Sequence, residues 1–129
     1  MSAEIPQNLK YTSSHEWIAD NGDGTVTVGI TAVATEQLGD LVYVELPKMG
    51  TAVSKGGGIA VVESTKAASD VYAPVSGEVV ASNEELSAHP EKVNEAPYGG
   101  GWLFKLKVKD ARELAELMGA DAYKSAAGA

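Results

Sequence analysis

The chain has 129 residues and no cysteine, with 44% hydrophobic and 22% charged residues and a formal net charge of −8. That length supports one domain, residues 1–129, around one core, and the absent thiols exclude disulfides, thiolate nucleophiles, iron–sulfur clusters and thiolate zinc sites. So acidic a surface makes nucleic acid a poor partner and favours proteins with basic patches, although acidity also serves plain solubility.

The first residues, "MSAEIPQNLKY", carry Glu4 and lack a basic segment followed by an apolar one. No secretory signal or transit peptide is expected, and no apolar run is long enough to span a bilayer. The cysteine-free composition fits a reducing cytoplasm. Residues 15–30 read as a hairpin, "HEWIA" and "TVTVGI" joined by "DNGDG", whose Asn-Gly and Asp-Gly pairs tolerate positive φ. Val26, Val28 and Ile30 alternate with Thr25, Thr27 and Gly29, the period of a half-buried strand. "TAVATEQLGD" reads as a short helix capped by Thr31 and closed by Gly39.

"LVYVELP" is a strand that stops at Pro47, and "PKMGTAVSKGGG" is a turn-rich connector. "IAVVES" and "DVYAPV" read as two strands flanking Lys66, and "SGEVVAS" continues after a turn at Ser76-Gly77. "NEELSAHPEKVNEAPYGGG" is polar, marked by Pro and Gly, and reads as mostly loop. "WLFKLKV" alternates Trp102, Phe104, Leu106 and Val108 with Leu103, Lys105, Lys107 and Lys109, a strand with one basic face. Asp110 and Glu113 resemble a capping box before an amphipathic helix with the stripe Leu114, Leu117 and Met118, closed at Gly119. "DAYKSAAGA" adds one further turn and then frays. The expected class is mostly β and antiparallel, a sandwich or barrel with one helix after the first hairpin and one near the C-terminus.

Catalytic material is sparse. His15 and His89 lie far apart without metal-ligand spacing, so they read as surface or structural histidines. There is no nucleophile elbow, and the glycines at 56–58 and 99–101 read as bends because no phosphate-loop pattern accompanies them. Trp17 and Trp102 read as core or half-buried anchors. Lys66 stands apart. It occupies a hairpin tip where Gly, Asn or Asp is usual, and Ala67, Ala68 and Ser69 after it leave room for a macromolecule to approach the amine. An ordinary exposed lysine is the competing reading.

The motifs "LKYTSSHEW", "VGIT", "LGDLVYVELPKMG", "ESTKAASDVYAPVSGEVV", "NEAPYGGGWLFKLKV" and "ELAELMGADAY", in this order over residues 8–123, resemble the glycine cleavage system H-protein family. The resemblance implies a barrel-sandwich hybrid with Lys66 at a hairpin tip and lipoate on it in amide linkage. It implies a non-catalytic carrier. A pyridoxal-phosphate glycine decarboxylase, the P protein, passes the aminomethyl group of glycine to the lipoyl arm. A tetrahydrofolate-dependent aminomethyltransferase, the T protein, takes it onward. A flavin dihydrolipoamide dehydrogenase, the L protein, reoxidises the dithiol. A lipoate ligase or an octanoyl/lipoyl transferase is a further implied partner. By the same resemblance Ser14, Glu16 and Asp70 form the cleft that holds the loaded arm, and Glu63 serves lipoylation recognition. Solvated surface acids are the competing reading for these carboxylates. Val33 stands where the family frequently has histidine or another polar residue. A monomer is expected.

Other carriers fit less well. Biotin carriers bracket their lysine with methionines, and the lipoyl domains of 2-oxoacid dehydrogenases place Asp before it, whereas Thr65 and Ala67 flank Lys66. A homologue that relays lipoyl groups, and an unmodified β-domain that only binds other proteins, stay open at this point.

Overall fold

A computed structural model describes residues 5–127. Glu4 and the rest of residues 1–4, and the fraying expected at residues 128–129, lie outside the described residues. Among the described residues nine strands form two antiparallel sheets. In the larger sheet the order is β1 (Lys10–Tyr11), β2 (Glu16–Asp20), β3 (Thr25–Ile30), β9 (Phe104–Val108), β8 (Gly77–Ser82) and β5 (Ala52–Val53). The smaller sheet is β4 (Leu41–Glu45), β6 (Gly58–Ser64) and β7 (Ala68–Tyr72). The arrangement is the expected mostly-β one, sandwich-like rather than a closed barrel.

The core forms where the two sheets turn their alternating residues inward. Ile18, Val26, Val28, Phe104, Leu106 and Val79 from the larger sheet meet Leu41, Val44, Val62 and Val71 from the smaller. The expected alternation in "TVTVGI" is therefore the alternation of a half-buried strand. The turn before it holds Gly22 and Gly24 at φ of 81° and 88°, the left-handed geometry that glycine adopts without strain. Helix α1 (Ala32–Leu38) has Thr31 as its N-cap and Gly39, at φ 83°, as its C-cap, as the sequence indicates.

Three expectations are corrected. Residues 83–101 are not loop alone: they also hold two short helices, α2 (Glu85–Ala88) and α3 (Glu91–Glu95). Each is too short for a periodic pattern, but Leu86 and Val93 are fully buried and drive them onto the core. The connector after Pro47 contains the two-residue strand β5, and Gly77 opens β8 instead of turning. A side chain at Gly77 would sit 2.2 Å from the Lys107 carbonyl oxygen, so only glycine lets β8 approach β9 there.

The amphipathic helix expected from Asp110 is the third correction. Residues Ala111–Glu116 form a 3₁₀ helix, and the C-terminal α-helix is α4 (Ala120–Ala127). Asp110 does cap the 3₁₀ helix through the Arg112 amide. Glu113 does not complete a capping box. Its carboxylate accepts from the Ser76 amide at 2.6 Å and hydroxyl at 3.2 Å, tying the segment to the turn before β8. That tertiary tether competes with a regular α-helix and wins.

Helix α4 closes a second, smaller core of Ile5, Tyr11, Trp17, Val33, Ala120 and Tyr123. Val33 is buried here against aromatic rings, a place that suits an apolar residue. Trp17 is buried and Trp102 half-buried, as expected. No helix among the described residues is long and apolar enough to cross a membrane.

Candidate functional site

Lys66 lies in the three-residue connection between β6 and β7, exposed at its tip. Ser64 holds the turn. Its amide donates to the Ala67 carbonyl at 2.7 Å, and its hydroxyl accepts from the Lys66 and Ala67 amides at 3.3 and 3.1 Å. The tip is thus shaped by the backbone and by Ser64, which leaves the Lys66 side chain without a structural duty. That side chain passes the end of α1, where a Cβ added at Gly39 would lie 3.6 Å from the Lys66 Cε. Asn94 pins this corner by donating to the Gly39 carbonyl and accepting from the Leu41 amide, both at 2.9 Å.

Beside the tip is a cleft of about 80 Å³. Its walls include Ser14, His15 and Glu16 from the β1–β2 turn, Ala34, Gln37 and Leu38 from α1, and Ser69 and Asp70 from β7. The structure therefore brings together Ser14, Glu16 and Asp70, three residues 56 positions apart at the extremes of the chain segment that supplies them. Glu63 lies elsewhere, half-exposed on β6, opposite Tyr43 of β4 and Ala68 of β7.

Glu16 is a buried carboxylate, 1% exposed. It accepts from the Thr12 hydroxyl, from the Ser14 hydroxyl at 2.6 Å and from the Tyr72 amide at 3.2 Å. Burial pushes its pKa above the ordinary 4.5, and these hydrogen bonds hold the rise in check. Ser14 is exposed and donates to Glu16, so its first duty is to orient that carboxylate. Asp70 is exposed at the rim.

The β1–β2 turn explains the placement. Residues 13–15 close it, with the Thr12 amide donating to the Glu16 carbonyl at 3.0 Å. A three-residue hairpin loop asks for a left-handed residue at its last position, and His15 takes it at φ 71°. His15 Nδ1 lies 2.6 Å from the Tyr123 hydroxyl of α4. No local pattern signals this partnership, because 108 residues separate the two. His89, by contrast, is an exposed histidine 3.3 Å from Glu91. Among the described residues no cluster of three His, Cys, Asp or Glu could hold a metal ion.

Residues 9–128 match the family described as glycine cleavage H-protein. This chain belongs to that family. A glycine cleavage system H protein of Idiomarina loihiensis is 57% identical over 123 residues, 95% of each chain. One from Laribacter hongkongensis is 54% identical over 126 residues, 98% of this chain and 99% of the other. The crystal structure of a glycine cleavage system H protein from Mycobacterium marinum superposes with a TM-score of 0.88 at 43% identity, covering 97% of this chain and 100% of that one. The family is the lipoyl carrier of the glycine cleavage system, and this chain is such a component.

The raised Glu16 pKa carries a testable sign. A carboxyl that binds its proton more tightly folded than unfolded lends relative stability that is fully present below the unfolded value of 4.5 and is lost as pH rises through the folded value. Glu16→Gln removes that dependence. Its amide oxygen can take the Tyr72 N–H while its NH₂ faces the two hydroxyls, so the variant folds. On lowering the pH from 7 to about 4, thermal melts should show the wild type gaining on the variant. A Tm difference that is flat with pH would contradict it.

Proposed function

We propose that this chain is a non-catalytic carrier whose Lys66 holds lipoate in amide linkage. In this reading Glu16 and Asp70, with Ser14 assisting, receive the cationic amine of the aminomethyl-loaded arm. The observation that supports the reading is an exposed hairpin-tip lysine near a cleft whose lining includes the buried Glu16 and the exposed Asp70. The residues fit such an arm. Ala34 and Leu38 offer apolar contact for its alkyl length, and Glu16 and Asp70 offer negative charge for its terminus. When bound, lipoate supplies the dithiolane that takes up the aminomethyl group and two electrons.

The chain's own contribution is position and protection. The Ser64-braced turn presents the amine to a modifying enzyme, and amide formation removes the lysine charge. Glu16 is held by two hydroxyls and one amide before any cation arrives, so little reorganisation is needed at the moment of binding. The narrow cleft excludes water from the cargo. Glu63, three residues before Lys66 on the same hairpin, is proposed as a recognition mark for a lipoate ligase or an octanoyl/lipoyl transferase. P, T and L proteins are proposed as successive partners, a monomer as the working state, the cytoplasm as the location, and residues 1–129 as one carrier domain.

Intact mass and peptide mapping across residues 56–80, on protein from its native cells, test the attachment. A lipoyl or octanoyl adduct confined to Lys66 is expected, followed by support of glycine decarboxylation in reconstitution. A biotin adduct, or an unmodified Lys66 in cells competent for lipoylation, would overturn the reading.

A further inference from the structure

The two walls of the cleft are joined through α4. The α1 wall begins at Thr31, whose hydroxyl accepts from the Ala34 amide at 3.4 Å and lies 2.7 Å from the Tyr123 hydroxyl. The Tyr123 hydroxyl lies 2.6 Å from His15 Nδ1 on the other wall. One direction uses every donor. The Ala34 amide donates to Thr31, Thr31 donates to Tyr123, and Tyr123 donates to His15 Nδ1. That chain fixes a neutral His15 with its proton on Nε2. The opposite direction would leave the Thr31 proton without an acceptor in this chain of bonds.

His15 is a costly choice for its place. A left-handed φ suits glycine best, and a residue with a Cβ takes it only at some cost in strain. The imidazole recovers something no glycine could, a bond to Tyr123. The backbone adds a second link, from the Thr31 amide to the His15 carbonyl at 2.9 Å. Tyr123 is itself fixed, fully buried and stacked on Tyr11 with ring centroids 4.7 Å apart. Burial pushes its hydroxyl pKa up to about 12, so it remains a donor throughout the neutral range.

We propose that Tyr123 and His15 are positioning residues: the hydroxyl of α4 locks the Ser14–Glu16 turn to α1 and so holds the cleft in the shape that retains the loaded arm. This rests on the cleft reading above. The C-terminal helix then sets how long the cargo is held, although α4 itself does not line the cleft.

Tyr123→Phe, in the full-length lipoylated chain, removes the hydroxyl and keeps the stacked ring. Loss of ammonia from the aminomethyl-loaded carrier should rise about threefold to tenfold, the range of one net hydrogen bond. His15→Asn, which tolerates the left-handed φ, should match it and carries the test if the first variant folds poorly. Nitrogen-15 NMR of the chain without its lipoyl group gives a readout independent of the arm: a single Nε2–H tautomer in the wild type and a tautomer mixture in Tyr123→Phe. A lasting single tautomer in Tyr123→Phe would overturn the hydrogen-bond chain. Unchanged ammonia loss in both variants, while Glu16→Gln accelerates it, would overturn this inference alone. Unchanged loss in Glu16→Gln as well would overturn the cleft reading and this inference with it.

Discussion

Lys66→Arg is expected to fold as the wild type does and to lose all support for glycine decarboxylation. The turn around Lys66 is built by Ser64 and by backbone bonds, and the lysine side chain is exposed. Stability should therefore change by less than about 0.5 kcal/mol, the usual range for surface positions. The chemistry changes completely. Acylation needs an amine that can be deprotonated, and a guanidinium stays charged and delocalised at any working pH. Without attachment, the arm must act from free solution, which forfeits roughly a thousandfold or more of effective concentration. The measurement is exchange of labelled bicarbonate into the glycine carboxyl with purified decarboxylase, beside a thermal melt. Retained exchange would place the attachment elsewhere.

Glu16→Gln combined with Asp70→Asn is expected to release cargo faster by about tenfold to a hundredfold. The two positions should contribute unequally. Glu16 is buried and tightly hydrogen-bonded, so a cation beside it is poorly screened. Asp70 is exposed, and its bond to a cation is discounted by solvent. Asp70→Asn alone should therefore stay within about threefold of the wild type, and Glu16→Gln alone should account for most of the double effect. Ammonia and formaldehyde, followed over time from the isolated loaded carrier, report it directly. Equal single effects would mean that exposed Asp70 holds the amine as firmly as buried Glu16 does, against this expectation.

Much of this was legible in the residues, for physical reasons that differ by element. Period-two alternation exposed β3 and β9, and Thr31 and Gly39 delimited α1, because these signals are local. Helices α2 and α3 escaped because four or five residues cannot display a helical period, and only tertiary burial of Leu86 and Val93 reveals them. Glu113 misled for the opposite reason: a locally plausible capping residue was claimed by Ser76, 37 residues away. At the site, the resemblance pointed to Lys66, Ser14, Glu16 and Asp70, and the fold does gather the last three around one cleft. The Thr12 hydroxyl on Glu16 and the Tyr123 bond to His15 were not legible, since neither residue type announces a partner it meets only after folding.

One contact of Glu16 has a bearing beyond cargo. Tyr72 lies on β7, an outer strand of the smaller sheet, and its amide is occupied by the Glu16 carboxylate. An outer strand with open amides is a template on which a foreign strand can add. The same acid thus takes one such amide out of reach of a second copy's strand. The choice of substitution at position 16 follows from this. Glutamine leaves an oxygen for Tyr72, whereas alanine would free that amide, and faster cargo loss in such a protein could then reflect association as well as the lost charge.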